Sequence, residues 1–176
     1  KSVTCDGGRS IIKSVRRSCP KAIIQRCVVH VQRECLTWLT RNPQSQAGRE
    51  LRQIVCKLHK ITNREEWGYW VVSLVHWEGR HHEYLTEKSY KADPNKYWFT
   101  HKMVRKSFVH IRRALPDMFH YLDNPAIPKH TNSLESCFGH LKENISLHRG
   151  LSKVHYQNYV KWYLYFRNQQ HKRTKK

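Results

Sequence analysis

Two short β-prone runs, separated by one helical segment, open the chain and restrict the folds it can adopt. Residues 2–5 form the first run, and a helical segment over residues 9–19 ends before Pro20. Residues 22–29 form a nearly continuous apolar run, which is typical of a buried strand in a parallel sheet. The order strand–helix–strand predicts a right-handed βαβ unit with two adjacent parallel strands, around residues 2–5 and 22–28.

The first predicted strand ends in a strong turn signal, Asp6-Gly7-Gly8. Because ligands of open α/β sheets gather at the carboxyl ends of the strands, Asp6 is a candidate site residue. An equally good interpretation is that Asp6 only shapes the turn. His30 is placed where the second strand gives way to a helix that runs to about Thr40.

From residue 46 to about residue 122 the apolar residues recur at helical spacing throughout. We therefore predict an all-α block here, with one helix running from about Tyr97 through Ile111. The fold class is α/β: about two parallel strands, a large all-α insertion and a mostly helical chain. The predicted parts are a βαβα unit over residues 1–40, the insertion over 41–125, C-terminal helices over 126–168 and a disordered basic tail over 169–176.

Glu135 lies in the first turn of a predicted helix that starts near Asn132. Asn132 is a favourable N-cap, and Glu135 follows it at the capping-box position, which is a purely structural interpretation of this carboxylate. Gly150 ends that helix, and a last helix spans about residues 152–167. Its aromatic stripe is more typical of a packed core than of a base-stacking platform; the stripe comprises Tyr156, Tyr159, Tyr163 and Phe166.

The charge balance points to a polyanionic partner. Lys and Arg number 33 against 13 Asp and Glu, a formal net charge of +20, so nucleic acid is the leading partner class, ahead of an anionic membrane or mere solubility. A bilayer-spanning helix needs about 18 or more apolar residues, and the sequence has no such run. One cluster of basic residues lies on the predicted insertion: Lys102, Arg105, Lys106, Arg112 and Arg113.

The six cysteines are expected to be reduced thiols, because the chain is long, helical in pattern and without a secretory signal. Cys27-x-x-His30 is at best half of a zinc site, and a zinc site completed by His130 or His140 is only the third interpretation of these residues. For His30 itself, contact with a phosphate, support of a metal-binding carboxylate and a purely structural role all stay open.

Three segments taken in order resemble the mutator-like insertion-sequence transposases of bacteria. They are Val3-Thr4-Cys5-Asp6-Gly7-Gly8, Gln25-Arg26-Cys27-Val28-Val29-His30 and Thr131-Asn132-Ser133-Leu134-Glu135, followed by His148-Arg149-Gly150-Leu151 and the Trp162-Tyr163 segment. The resemblance implies a partial RNase H-like fold with a helical insertion. It also implies that Asp6 and Glu135 are catalytic carboxylates that hold Mg²⁺ or Mn²⁺, with Cys27 and His30 in supporting roles. By the same resemblance, His148 and Arg149 are assigned to DNA.

The function that this resemblance implies is DNA transposition: metal-dependent phosphodiester hydrolysis followed by strand transfer. The partners would be element ends and target DNA in a synaptic homo-oligomer, within the bacterial cytoplasm and close to the nucleoid. The family's first catalytic Asp lies upstream of the segment matching Asp6 and has no counterpart here, so we expect a truncated or downstream piece that is inactive alone. The alternative function is a non-catalytic basic helical module that binds DNA.

The resemblance also makes a geometric prediction. Two ligands that share a metal pair must lie close together, so the Asp6 and Glu135 carboxylates should approach within roughly 4–8 Å.

Overall fold

The protein, seen in a computed structural model, is described over residues 1–90, 95–148 and 150–173, with side chains described through residue 169. It comprises two compact units, Lys1–Thr131 and Asn132–Lys176. Arg149, one of the predicted DNA-binding residues, lies outside the described residues. Within the described residues every helix is too short or too polar to cross a membrane.

The predicted pair of parallel strands is confirmed. Strand β1 spans Ser2–Cys5, helix α1 spans Arg9–Ser18 and strand β2 spans Ile23–Arg26. The register runs from Ser2 opposite Ile23 to Cys5 opposite Arg26, so both strands end at the same edge. Helix α1 buries little of its apolar side, since none of its residues is buried and Ile11 is 42% exposed.

The second strand is shorter than predicted, because Val28 and Val29 belong to helix α2, Val28–Leu39. The backbone N–H of Cys27 donates to the carbonyl of Cys5 and closes the parallel ladder there. Val28, Val31 and Cys35 then follow at helical spacing, and all three are fully buried. A short apolar run suits a buried strand and a buried helix equally well, which is why the boundary was misplaced.

Helix α2 is also part of the main hydrophobic core, which it shares with α3 (Gln46–Lys57), α4 (Arg64–Arg80) and α6 (Lys102–Ala114). The predicted boundary at residue 40, between the βαβα unit and the insertion, therefore divides a single hydrophobic core. The buried tryptophans have partners for their indole N–H groups: Trp77 donates to Ala47 at 3.0 Å and Trp70 to Ile54 at 2.9 Å. Short 3-10 turns at Leu58–Lys60, Leu115–Asp117 and His120–Leu122 and a short helix α5, His82–Thr86, connect these elements.

The prediction of an all-helical insertion is wrong at one place. Strands β3 (Lys88–Tyr90) and β4 (Tyr97–Phe99) form an antiparallel pair between α5 and α6. The helix expected from Tyr97 therefore begins only at Lys102. Aromatic residues favour strands, and the adjacent rings of Tyr97, Trp98 and Phe99 follow this preference rather than the helical spacing of the residues after them.

Gln25 ties the two-stranded sheet to the helical body. Its side chain is fully buried, donates to the carbonyls of Met118 at 2.6 Å and Arg26 at 2.8 Å, and accepts from the N–H of Tyr121 at 3.3 Å. We expect Gln25→Leu to lower the free energy of unfolding by about 2–4 kcal/mol, because each buried polar group left unsatisfied costs about 1–3 kcal/mol.

Urea unfolding measures this effect, and Gln53→Leu, at an exposed position of α3, is the matched control and should change stability by less than about 0.5 kcal/mol. Equal effects of the two substitutions would contradict the role given to Gln25.

The second unit consists of helix α7, Asn132–Leu147, and helix α8, Lys153–Arg173. The Tyr163 hydroxyl donates to the carbonyl of Cys137 at 3.4 Å and joins the two helices. Helix α8 continues to Arg173, which corrects the tail predicted as disordered from residue 169. The aromatic stripe expected to be core is only partly so, because Tyr156 and Phe166 are 47% and 58% exposed.

Candidate functional site

Asp6 follows directly after the last residue of β1, and its side chain is exposed. One carboxylate oxygen, Oδ1, accepts the backbone N–H of Gly8 at 2.8 Å, so Asp6 does shape the turn. A carboxylate has two oxygens with about four acceptor positions, and one turn hydrogen bond does not exhaust them. The turn role and a ligand role are therefore compatible at this residue.

Arg26 ends β2 directly beside the Asp6 turn, and sequence reasoning missed it. Its side chain is only 8% exposed, and its Nη2 donates to the backbone carbonyl of Asp6 at 3.2 Å. The buried Nε has no hydrogen-bond partner within the described residues. A buried guanidinium at the carboxyl edge of the sheet supplies positive charge where an anion would be recognised. The signal available in the sequence was an Arg at the end of an apolar run.

Gly7 makes this close approach possible. Its φ is +92°, and a Cβ atom built on it would lie 1.9–2.2 Å from three guanidinium atoms of Arg26. A side chain at this position must therefore displace Arg26 as well as occupy a left-handed backbone conformation. At Gly8 the nearest atom to such a Cβ is Oδ1 of Asp6 at 3.4 Å, which is ordinary van der Waals contact.

We expect Gly7→Ser to lower the free energy of unfolding by about 1–3 kcal/mol, the usual cost of one residue held in a sparsely populated backbone region. Gly8→Ser is the matched control, because Ser is favoured at a helix N-cap, and its effect should stay within about 0.5 kcal/mol. Thermal or urea unfolding of both variants gives the comparison. Equal stability of the two variants would show that Arg26 moves away without cost.

The two cysteines at the strand ends are buried. Burial raises the pKa of the Cys5 thiol, and the hydrogen bond with Gly7 and the charge of Arg26 partly offset this rise. The sulfur of Cys27 is fully buried and accepts from the N–H and the hydroxyl of Thr131, both at 3.4 Å. Cys27 therefore works as a hydrogen-bond acceptor that fixes the segment before α7.

His30 lies in the first turn of α2 and is partly buried, and Glu135 lies in the first turn of α7 and is also partly buried. A carboxylate in a first turn is stabilised by the helix dipole, which agrees with the structural interpretation of Glu135. Asp6 and Glu135 belong to different compact units, and the approach of their carboxylates stays a prediction. His148 is exposed just after α7.

Two further Asp residues of the first unit, Asp117 and Asp123, have different surroundings. Asp123 is exposed and forms a bidentate ion pair with Arg64. Asp117 contributes to the raised pKa of the Cys5 thiol, so its carboxylate lies near the end of β1. Nothing in the sequence spacing indicates this proximity, because it results from the 3-10 turn Leu115–Asp117 packing against β2.

Several basic side chains of the α6 cluster contact other groups of the protein. Arg105 donates to the carbonyl of Leu85 at 3.0 Å and covers the Phe99 ring at 3.7 Å. The Lys106 ammonium lies 4.2 Å from the centre of the Trp38 ring. Arg112 pairs with Glu78 at 3.4 Å, and Lys102 and Arg113 are exposed. Three of these five cationic side chains are therefore held by contacts within the protein, and Lys102 and Arg113 are exposed to solvent.

The matching family model is described as "Transposase, Mutator family", and it covers residues 1–85. The matched part contains both parallel strands, the Asp6 turn, Arg26, Cys27 and His30. It ends at Leu85, before the antiparallel strands, helix α6 and the unit that carries Glu135. Among curated proteins and among solved structures nothing matches the chain.

Proposed function

We propose that this chain acts in DNA transposition by metal-dependent cleavage and joining of phosphodiester bonds, because residues 1–85 match the family model described as "Transposase, Mutator family". One observation carries the proposal. Within the matched residues, Asp6 presents an exposed carboxylate at the carboxyl end of a parallel strand, and Arg26 fixes its turn from the neighbouring strand.

The donor set at the strand edge fits a hard divalent cation. Mg²⁺ and Mn²⁺ prefer carboxylate oxygens and keep several waters, so the exposed Asp6 carboxylate is a suitable ligand. Glu135 is proposed as the second ligand because the segment Thr131-Asn132-Ser133-Leu134-Glu135 resembles the family's motif around its catalytic Glu. When bound, the metal ions would stabilise charge on the attacking and leaving oxygens of the phosphodiester.

The protein groups around Asp6 have defined tasks in this proposal. Gly8 donates its N–H to one oxygen of Asp6 and thereby fixes the orientation of the carboxylate. Arg26 holds the turn through the Asp6 carbonyl and lends positive charge toward a DNA phosphate. His30 is proposed as a supporting residue, and the buried Cys27 as the anchor of the segment that leads into α7.

The decisive experiment is a calorimetric Mn²⁺ titration of the whole chain and of Asp6→Asn and Glu135→Gln. Each substitution should weaken Mn²⁺ binding by at least about tenfold, since even loss of a residue that only supports a metal ligand costs about 10–100-fold. Asp123→Asn and Glu143→Gln are controls, because both carboxylates are exposed and Glu143 shares helix α7 with Glu135. Unchanged Mn²⁺ affinity in both site variants would refute the proposed metal site.

A non-catalytic basic DNA-binding module is the second candidate, and the net charge of +20 favours it independently of any carboxylate. The same variants distinguish the two functions. A binding module keeps its affinity for DNA and shows no dependence of metal binding on Asp6 or Glu135. For the transposase we propose element ends and target DNA as substrates, a homo-oligomeric synaptic complex and a site of action close to the bacterial nucleoid.

A further inference from the structure

The antiparallel pair of β3 and β4 carries large aromatic rings on both of its faces. Residues directly opposite one another share a face, and successive residues alternate. The register places Tyr90 opposite Tyr97 on one face, and Trp98 opposite Ser89 on the other. These three rings are strongly exposed: Tyr90 56%, Tyr97 49% and Trp98 46%.

The base of this two-stranded ribbon is held firmly by the helices on either side of it. The N–H of Thr100 donates to the carbonyl of Glu87 at 3.0 Å, and Glu87 pairs with His101 at 2.9 Å. The His101 ring stacks on Tyr84 of α5 with centroids 3.5 Å apart. The aromatic rings farther along the ribbon are thus presented on a fixed support.

Cations accompany the rings on the face that carries Tyr97. The Lys88 ammonium lies 4.1 Å from the centre of the Tyr97 ring, and the Arg105 guanidinium lies 3.7 Å from the centre of the Phe99 ring. Tyr97 is also 6.1 Å from Tyr90 and 5.9 Å from Phe99, measured between ring centres. Rings for bases and cations for phosphates therefore occur side by side.

We propose that the ribbon formed by β3 and β4 binds unpaired bases of single-stranded DNA. Exposed aromatic rings stack with any base, and neighbouring cations follow the phosphate backbone. A two-stranded ribbon also fits the major groove of a duplex, but base edges there are read by polar side chains. The ribbon exposes rings instead, so stacking on unpaired bases is the better match. The inference rests on DNA being the partner and is independent of metal binding at Asp6.

The test is fluorescence anisotropy with a labelled single strand of about 16 nucleotides and a duplex of the same length, in the presence of a chelator. Trp98→Ala and Tyr90→Ala should each weaken single-strand binding about 5- to 150-fold, the effect of losing one stacked base. Tyr69→Ala is the matched control, because Tyr69 is 69% exposed but stands on α4; it should change affinity by less than about twofold. Duplex binding should also change by less than about twofold in all three variants.

Trp98→Phe keeps an aromatic ring and should retain most of the affinity, whereas Trp98→Leu should lose it as Trp98→Ala does. These two variants keep the proposal testable if Trp98→Ala does not fold. Equal losses on duplex and single strand would overturn the proposal in favour of a groove-binding ribbon. A dimer that dissociates in Trp98→Ala without loss of DNA binding would overturn it in favour of self-association. Failure of the Mn²⁺ titration alone would leave this prediction intact, because the chelator removes metal from the assay.

Discussion

Raising the salt concentration from about 50 to 200 mM should weaken DNA binding by this chain about 10³–10⁵-fold, as expected for about 6–10 phosphate contacts. The cause is the release of condensed cations from DNA when Lys and Arg neutralise phosphates. The chain has 33 such residues against 13 acidic ones, so contacts of this number are readily supplied. Filter binding over this salt range measures the slope, and a flat titration would contradict the assignment of DNA as partner.

Single substitutions can identify which basic residues contact phosphates and so contribute to the salt dependence of DNA binding. Lys102 and Arg113 are exposed on α6, and Lys102→Gln or Arg113→Gln should each reduce the slope of log K against log salt by about 1. Arg64→Gln serves as the control, because Arg64 is already paired with Asp123. An equal reduction in Arg64→Gln would show that the slope reports total charge rather than contacts on α6.

Replacing Trp77 by Ala should lower the free energy of unfolding by about 3–5 kcal/mol, the usual cost of deleting a large aromatic side chain from a core. Trp77 is fully buried, its ring lies 5.4 Å from that of Phe108, and its indole N–H satisfies the carbonyl of Ala47. The substitution leaves a cavity at the centre of the helical core and removes the hydrogen bond from the indole N–H to Ala47. Since small domains are stable by about 5–15 kcal/mol, the variant would lose a large part of its stability.

Urea unfolding measures the loss, and Tyr69→Ala on the same helix provides the control, because that ring is largely exposed and should contribute less than about 0.5 kcal/mol. A Trp77→Ala variant as stable as Tyr69→Ala would mean that the helical core is packed differently from the structure described above.

The parts of the fold that the sequence predicts correctly are those with local signals. Asp6-Gly7-Gly8 marks the end of β1, Pro20 follows the first helix, and the apolar run after it contains β2. Because strand, turn and helix signals here lie within a few residues of one another, their order alone determines the parallel pairing. The exposed position of Asp6 at the strand end follows from the same local order.

The parts that could not be predicted depend on contacts between distant residues. The Val28–Val29 segment becomes helical because its inner face meets α3 and α6, which the run itself does not encode. Asp117 comes close to the end of β1 only because the 3-10 turn Leu115–Asp117 packs against β2. The Arg26 side chain folds back onto the carbonyl of Asp6, a contact that the apolar run itself does not indicate. Strands β3 and β4 are each three residues long. Over so few residues, the alternation of side chains that marks a strand cannot be told apart from helical spacing.

Helix α2 begins directly after Cys27, at the end of the two-stranded sheet, and its last residues lie in the helical core. This connection limits how the chain can be divided or recombined. Excising residues 41–125 to obtain a smaller domain would remove the neighbours of Val31, Cys35 and Leu39 on α3 and α6. An insertion from a relative could be grafted here only together with its own version of α2. The strand end that carries Asp6 and the helical body are therefore joined through α2 and cannot be exchanged as separate modules.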